Sequence, residues 1–354
     1  MESATYAPKV LAYLVRRLCW SFVLILAVAL VTFIIFFVIP TNRVSNVRHR
    51  ETTTNINEAV GIHGPVYLQY GRFLWHLAHG SLGNSFRSEA SVRELVLTAA
   101  PITASLVIGG AIVWLLIALP VGILSAMRPR SLLDRTTTLF VLIGISVHPV
   151  WLGLILLYFL SYKWHLFPMG QYCDVFNPPG GAQCGGMVQW FWHLVLPWLT
   201  FAALYAALYV RMVRANVLEA MHEDYVRTAR AKGASEFRVV RKHVMRNALL
   251  PVVTMLGMDI GVAMGGTLFI ENVYGLPGLG KMMTRGLQTY DLPILLGVVI
   301  FMTFTIVLLN LIIDICYTLC DPRVRARSRI DEEETVRVTE RGVATAPRRA
   351  AASA

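Results

Sequence analysis

Gly275-Leu-Pro-Gly-Leu-Gly280-Lys281 fits the Gly-x-x-x-x-Gly-Lys pattern whose backbone cradles nucleotide phosphates. In such a loop the next residue is Ser or Thr, whose hydroxyl ligates Mg²⁺, and here it is Met282. Pro277 interrupts the run and no strand-like stretch leads into it. The run therefore reads as a turn, and any ATP hydrolysis must belong to another polypeptide. His76 and His79 could share a metal, but no third ligand is evident, so they read as ordinary polar-face histidines and no metal site is expected. Cys173 and Cys184 flank a turn-rich spacer, Asp174 to Gln183, that lets its ends meet, so a disulfide is expected. Cys19, Cys316 and Cys320 fall in apolar stretches, where Cys is a small filler. No residue reads as catalytic.

What remains is charge in unusual places. A basic segment, Asp224-Tyr-Val-Arg-Thr-Ala-Arg-Ala-Lys-Gly233, is wedged between apolar stretches and carries the small-residue spacing of an ordered helix and turn. Ala229, Ala231 and Gly233 would permit close approach of a partner, while Arg227, Arg230 and Lys232 could pair with its carboxylates. The plainer reading is a solvated basic loop that only fixes topology. Asp259 lies deep in an apolar stretch, where an ionisable group is costly and faces protein or water. Gly257, Gly261 and Gly265 recur every four residues and predict a helix-packing face. Asp259 projects about 200° round the helix from Gly257, at about 100° per residue. It is thus a candidate for the translocation path, or a hydrogen-bonded structural acid. His148, before Pro149, is expected to support a kink.

These residues need elements to hold them, and composition says which. The chain is 56% hydrophobic and 15% charged, with mean hydropathy +0.57. About 20 apolar residues cross a bilayer as a helix. Six stretches qualify: Leu18–Ile39, Ile102–Met127, Thr136–Tyr162, Trp190–Val210, Leu249–Ile270 and Pro293–Leu319. The first is too long for a signal-peptide core and no cleavage site follows, so it reads as a retained helix. Short segments on the side of the termini carry Lys9, Arg16, Arg17, Arg128, Arg130, Arg135 and the basic middle loop, which predicts cytoplasmic termini. The Cys173–Cys184 spacer and Gly275–Lys281 then face the outside, where oxidation is permitted. The net charge of +11 is accounted for by this bias and by anionic lipid, with no nucleic acid required. Residues 1–40 read as an N-terminus and first span, 41–99 as an external region with a helix near Val66–Leu82, 100–320 as a five-helix core with the loop 211–247, and 321–354 as a cytoplasmic, disordered tail.

From the first span to about Arg325 the chain resembles a permease subunit of the oligopeptide/dipeptide ABC importers, the first of the usual permease pair. The matching stretches, in order, include Val15-Arg-Arg-Leu18, Gly61-Ile-His-Gly-Pro-Val-Tyr-Leu-Gln-Tyr70, Gly80-Ser-Leu-Gly-Asn-Ser85 and Leu119-Pro-Val-Gly-Ile-Leu124. They continue with Ser146-Val-His-Pro-Val-Trp-Leu-Gly153, Asp224–Gly233, Asn247-Ala-Leu-Leu-Pro251, Glu271-Asn-Val-Tyr-Gly-Leu-Pro-Gly-Leu-Gly280 and Asp321-Pro-Arg323. The first span departs from the family pattern, ending Ile39-Pro-Thr-Asn-Arg43, and the basic loop has Arg227-Thr-Ala229 where importers in general have Glu-Ala-Ala.

The resemblance implies an all-α, polytopic membrane protein of about six spans with the type I ABC importer architecture. It implies that Asp224, Tyr225, Arg227, Thr228, Ala229, Arg230, Lys232 and Gly233 form a coupling helix docked on an ATPase, and that the spans work by alternating access. The implied partners are a second homologous permease, two ATP-binding subunits or domains and an extracytoplasmic substrate-binding protein, in a bacterial or archaeal plasma (inner) membrane. ATP and Mg²⁺ would be bound by the partners and no cofactor by this chain. Peptide is the first expected cargo. Nickel, haem or another small solute on the same architecture is the alternative. An ion-coupled secondary transporter would instead show inverted repeats and several intramembrane acids, and a channel or structural subunit would not need the coupling loop.

Overall fold

The computed structural model describes residues 7–35, 66–175 and 184–320, and side chains throughout these except 7–15, 66 and 314–320. Ile39–Arg43, the part of the expected external region before Val66, the centre of the cysteine spacer and the residues from Asp321 onward lie outside the described residues. The described chain is helical, and its only β pairing is an isolated bridge between Asn84 and Ser91.

The long helices are α1 (Ala7–Phe33), α3 (Val92–Met127), α6 (Met187–Met221), α10 (Leu250–Tyr274) and α12 (Leu292–Cys320). Each holds a stretch long and apolar enough to cross a bilayer. A shorter helix, α2 (Val66–Ala78), lies against α1: Tyr70 donates its hydroxyl to Leu26 O at 3.1 Å, and Phe33 meets the rings of Tyr70 and Phe73. Burial raises the Tyr70 phenol above its ordinary pKa.

The stretch expected as one span with a kink at His148–Pro149, Thr136–Tyr162, is broken there. It forms α4 (Leu132–Ser146) and α5 (Pro149–Leu156, continued by a π-helical turn to Lys163), bent by 103°. Pro149 has no N–H to return to the preceding turn, and its ring pushes the residue before it out of the helical region. Val147 and His148 are accordingly extended, with ψ of 124° and 132°. His148 caps the new helix, its Nδ1 accepting from Val150 N–H at 3.3 Å. Among the described residues the bundle thus has five helices long and apolar enough to span a bilayer, or six spans if the bent pair counts as one.

The centre of the bundle is the pair α3 and α6. Gly109 faces the Trp198 ring, Gly110 faces Phe201 and Gly122 faces Val213, leaving no room for a β-carbon at any of the three. Backbones that approach this closely gain dispersion and packing, which drives helix association in lipid. Trp114, fully buried, stacks on Tyr205 at 4.6 Å and lies 5.9 Å from Tyr209. The indole N–H of Trp198 is satisfied by Ser105 O at 3.0 Å.

After α6 the chain makes α7 (Asp224–Ala231), α8 (Glu236–Val239), a π-helical turn (Val240–Val244) and α9 (Met245–Ala248) before entering α10. After α10 it makes α11 (Leu279–Thr289) and enters α12. Chain order therefore puts α7 to α9 at one end of the bundle and α11, with the Cys173–Cys184 segment, at the other.

Candidate functional site

Only His222 and Glu223 separate the end of α6 from α7, so the basic segment is a direct continuation of the central helix. Asp224 in its first turn and Arg230 in its last complement the helix dipole. Val226, with no exposed surface, and Ala229 are buried in the main core with Val239 and Val244. Tyr225, Arg227, Thr228 and Lys232 face outward, and exposed Phe237 and Arg238 follow on α8. The helix is therefore anchored on one side and free on the other.

Its C-terminal turn explains Gly233. Gly233 N–H bonds to Arg230 O at 2.9 Å and Ala234 N–H to Ala229 O at 3.2 Å. This is the paired bonding of a Schellman cap, with glycine in the left-handed position at φ +77°. A β-carbon on Gly233 would meet nothing within 4 Å, so backbone conformation, not crowding within this chain, selects glycine there. Arg230 is already engaged: its Nε lies 2.7 Å from Glu236 Oε1 and its Nη2 3.3 Å from Oε2. The fork joins α7 to α8. Arg227 lies 3.6 Å from Asp224, with both side chains largely exposed, which contributes little.

A second ion pair stands deeper in the same end of the bundle. Arg214 on α6 binds Asp134 at the start of α4 through two bonds, Nε–Oδ1 at 2.6 Å and Nη2–Oδ2 at 2.9 Å. Asp134 also accepts from Ser125 Oγ at 2.6 Å and Arg130 N–H at 2.9 Å. The carboxylate is buried and fully used.

Asp259, the candidate for the path, is half-buried and accepts from Tyr209 Oη at 2.7 Å. It thus faces α6. The glycine face lies elsewhere: Gly257 backs onto Ile313, and Gly261 onto Ile306 and Asn310, all on α12. Gly265 has no neighbour within 4 Å of an added β-carbon, so the packing stripe engages α12 at two of its three glycines.

At the other end, the phosphate-loop-like run does hold an acidic group, but one from its own chain. Glu271 is fully buried at the end of α10. Its Oε1 accepts from Thr103 Oγ1 at 2.7 Å and its Oε2 from Lys281 N–H, at the start of α11, at 2.9 Å. Thr103 Oγ1 in turn accepts from Leu279 N–H at 2.9 Å. Gly278 lies so close to the carboxyl group that a side chain there would collide with it, and a side chain at Gly280 would collide with the Leu268 backbone. Lys281 Nζ turns back to Gly275 O at 2.8 Å. Nearby, Asp291 at the start of α12 accepts from Ser85 Oγ at 2.6 Å and from Phe86 N–H at 3.4 Å, which ties Gly80–Ser85 to the bundle. Sequence inspection passed over Glu271 because the apolar window ends one residue before it, and Asp134 and Asp291 because they begin helices.

Cys173 and Cys184 form a disulfide with Cα atoms 5.5 Å apart, within the ordinary span. Of the two histidines His76 and His79, His79 bonds Trp75 O at 2.8 Å through Nδ1 and meets the Trp75 ring at a tilt of 45°, and neither joins a cluster of metal-ligating groups among the described residues.

Comparison with known proteins agrees with this arrangement. The family model "binding-protein-dependent transport system inner membrane component" matches residues 118–326, and the corresponding N-terminal model matches residues 10–107. A dipeptide transport system permease protein of Escherichia coli strain K12 is 31% identical over 89% of this chain and 99% of its own length. A probable D,D-dipeptide transport system permease protein of the same strain is 33% identical, covering 88% of this chain and 97% of its own. Among solved structures, an inward-facing form of the MetNI methionine ABC transporter superposes with a TM-score of 0.51 at 18% identity, over 64% of this chain and 96% of that one. At that identity the likeness is one of fold.

Proposed function

The chain belongs to the binding-protein-dependent transport system inner membrane component family, and from that membership we propose a permease that imports di- or oligopeptides by alternating access. It is a multi-pass inner-membrane subunit of an ABC importer, a transport component rather than an enzyme, and ATP is used by partner ATPases. Peptide is chosen because relatives that match over nearly its whole length bear peptide and dipeptide transport names. A second permease completes the pathway, and a substrate-binding protein delivers cargo from outside. Both termini lie in the cytoplasm. That assignment follows the arginine bias and requires the bent α4–α5 pair to count as one crossing.

The observation that carries the reading is α7. A short helix with one buried face, continuous with the central α6 and exposing Tyr225, Arg227, Thr228 and Lys232, suits a docking element that transmits movement to the spans. Arg230 and Gly233 serve it from within, as clamp and cap. An ion-coupled carrier is disfavoured because the buried acids Asp134, Glu271 and Asp291 are tied up with partners in the chain. Asp259 is the acid best placed for the path, with its second oxygen available to a peptide ammonium.

The test is a complex of this chain with its companion permease and ATPases, in lipid discs, carrying Thr228→Cys. We expect a bifunctional thiol reagent to link position 228 to an ATPase, and binding protein with peptide to stimulate ATP hydrolysis. Absence of the crosslink in an assembled, active complex refutes α7 as the docking element. Asp259→Asn keeps shape and the bond from Tyr209 but removes charge, so it should lower uptake with the complex intact. Normal uptake of neutral and cationic peptides by this variant would return Asp259 to a structural role.

A further inference from the structure

Beside the disulfide stands a third group with the chemistry of a metal ligand. His193, in the second turn of α6, places Nδ1 3.3 Å and Nε2 3.5 Å from Cys173 Sγ. Nδ1 also lies 2.8 Å from Gln189 O, one helical turn back. The same bond is made by His79 to Trp75 O and by His222 to Leu218 O, so it is a helix habit and not by itself a signal. Its consequence is particular here. Nδ1 carries the proton toward the carbonyl, and Nε2 is left as the lone-pair nitrogen next to sulfur. Ligating histidines are oriented in this way, with the other ring nitrogen donating to a carbonyl.

Distances agree with a tetrahedral site. With Zn–S of about 2.3 Å and Zn–N of about 2.0 Å, sulfur and nitrogen ligands stand about 3.5 Å apart and two sulfurs about 3.8 Å apart. The observed Cys173 Sγ–His193 Nε2 separation is 3.5 Å, and the ligand atoms of Cys173, Cys184 and His193 all lie within 4.8 Å of one another. Cys173 is fully buried while Cys184 and His193 are half-exposed, so the site is shielded on one side and open on the other. The sulfurs have to part from bonded to ligand distance, and Cys184 Sγ, already within 4.8 Å of the other two ligand atoms, has to settle at ligand distance from His193.

We propose that, with its thiols reduced, this chain binds one thiophilic cation, Zn²⁺, through Cys173, Cys184 and His193, and that the metal and the disulfide exclude each other. The dithiol state exists before the segment is first oxidised, or after a dithiol reductant takes up the disulfide: two electrons pass to the Cys173–Cys184 bond, two thiols form and the reductant becomes a disulfide. Zn²⁺ then displaces both thiol protons, giving a bis-thiolate, one-imidazole site with water in the fourth position. Exchange with a disulfide oxidant, which takes up the two electrons and leaves as two thiols, rejoins the sulfurs and releases the ion. Either state fastens the segment before α6 to the first turns of that helix.

The experiment uses the assembled complex in detergent, treated with a phosphine or dithiol reductant, freed of reductant and exposed to Zn²⁺ in the presence of a chromophoric chelator. We expect about one Zn²⁺ per chain in the reduced complex and none at this site in the oxidised one. Co²⁺ in place of Zn²⁺ should show thiolate-to-metal charge transfer. His193→Gln, which leaves both thiols in place, should weaken Zn²⁺ binding by at least about tenfold. The double Cys173→Ser, Cys184→Ser variant should abolish it. Binding of equal strength in His193→Gln or the double serine variant would show an adventitious ion only. Free thiols with no metal, or a disulfide that survives reduction of the folded complex, would also overturn the proposal.

Discussion

Glu271 shows how much of this molecule rests on single acids whose partners are distant in sequence. It has no exposed surface, and the donors that hold it include the Thr103 hydroxyl from α3, the Thr267 hydroxyl from its own helix and the backbone N–H groups of Gly280 and Lys281 at the start of α11. Glu271→Gln keeps the volume but turns an amide toward one of those donors. Thr103→Val removes a hydroxyl that both donates to Glu271 and accepts from Leu279 N–H. Each strands a buried polar group, at a cost of about 1–3 kcal/mol. We expect both variants to lower the melting temperature of the purified complex, and the double variant to lose less than the two single losses added. Unshifted melting would mean that the acid is not integral to the turn. Gly233 makes a sharper residue-scale case. Its left-handed φ costs an ordinary side chain about 1–2 kcal/mol, asparagine less, and nothing in the chain crowds the position. Gly233→Asn should therefore retain most transport and Gly233→Val should lose it. Equal loss in both would point to steric contact with the ATPase instead of backbone geometry.

Elements explain what the residue pattern could and could not foretell. Hydropathy located α1, α3, α6, α10 and α12, because a bilayer demands long apolar runs whatever packs against them, but the starts of α1 and α3 and the end of α6 run ten or eleven residues beyond the apolar stretches. The kink at His148–Pro149 was legible from proline chemistry, but the 103° size of the bend was not, since that depends on how α5 packs against α6 and α10. The helical nature of Asp224–Ala231 was also legible. The engagement of Arg230 with Glu236 was not, because it needs the Schellman turn to fold α8 back toward α7. This pair supplies a prediction about the hairpin as a unit. Arg230→Glu places two acids together and should unfasten α8 from α7, although an exposed pair of this kind is worth only about 0.2–1 kcal/mol. Adding Glu236→Arg restores attraction across the same turn. We expect the single variant to reduce uptake and the double swap to recover most of it, as measured by peptide uptake in proteoliposomes. Failure of the swap, with normal assembly, would assign Arg230 to the ATPase surface.

At the scale of the whole molecule, the question is how a push on α7 would reach the pathway. α7 hangs from α6, α6 packs along α3, and α6 is pinned to the start of α4 by Arg214 and Asp134. The same carboxylate holds Ser125 near the end of α3 and Arg130 in the turn between α3 and α4. One acid thus joins three elements at the end of the bundle where α7 sits, and on the proposed docking role of α7 we expect these helices to move as a body when it is displaced. Asp134→Asn would leave Arg214 without its charge partner. Removing one member of a buried pair costs about 3–5 kcal/mol, and Arg214 keeps 31% of its side chain exposed, which places the loss toward the low end. A static clamp and a mechanical link both predict lower stability, so stability alone does not separate them. The ratio of peptide moved to ATP hydrolysed does. If the pair transmits movement, Asp134→Asn should leave the ATPases active and lower that ratio in complexes that have assembled. Adding Arg214→Met removes the stranded charge, and it should restore melting temperature without restoring the ratio. A ratio that stays at the wild-type value in the single variant, whatever its stability, would reduce the Asp134–Arg214 pair to a fastening and leave the α6–α3 packing as the route from α7 to the spans.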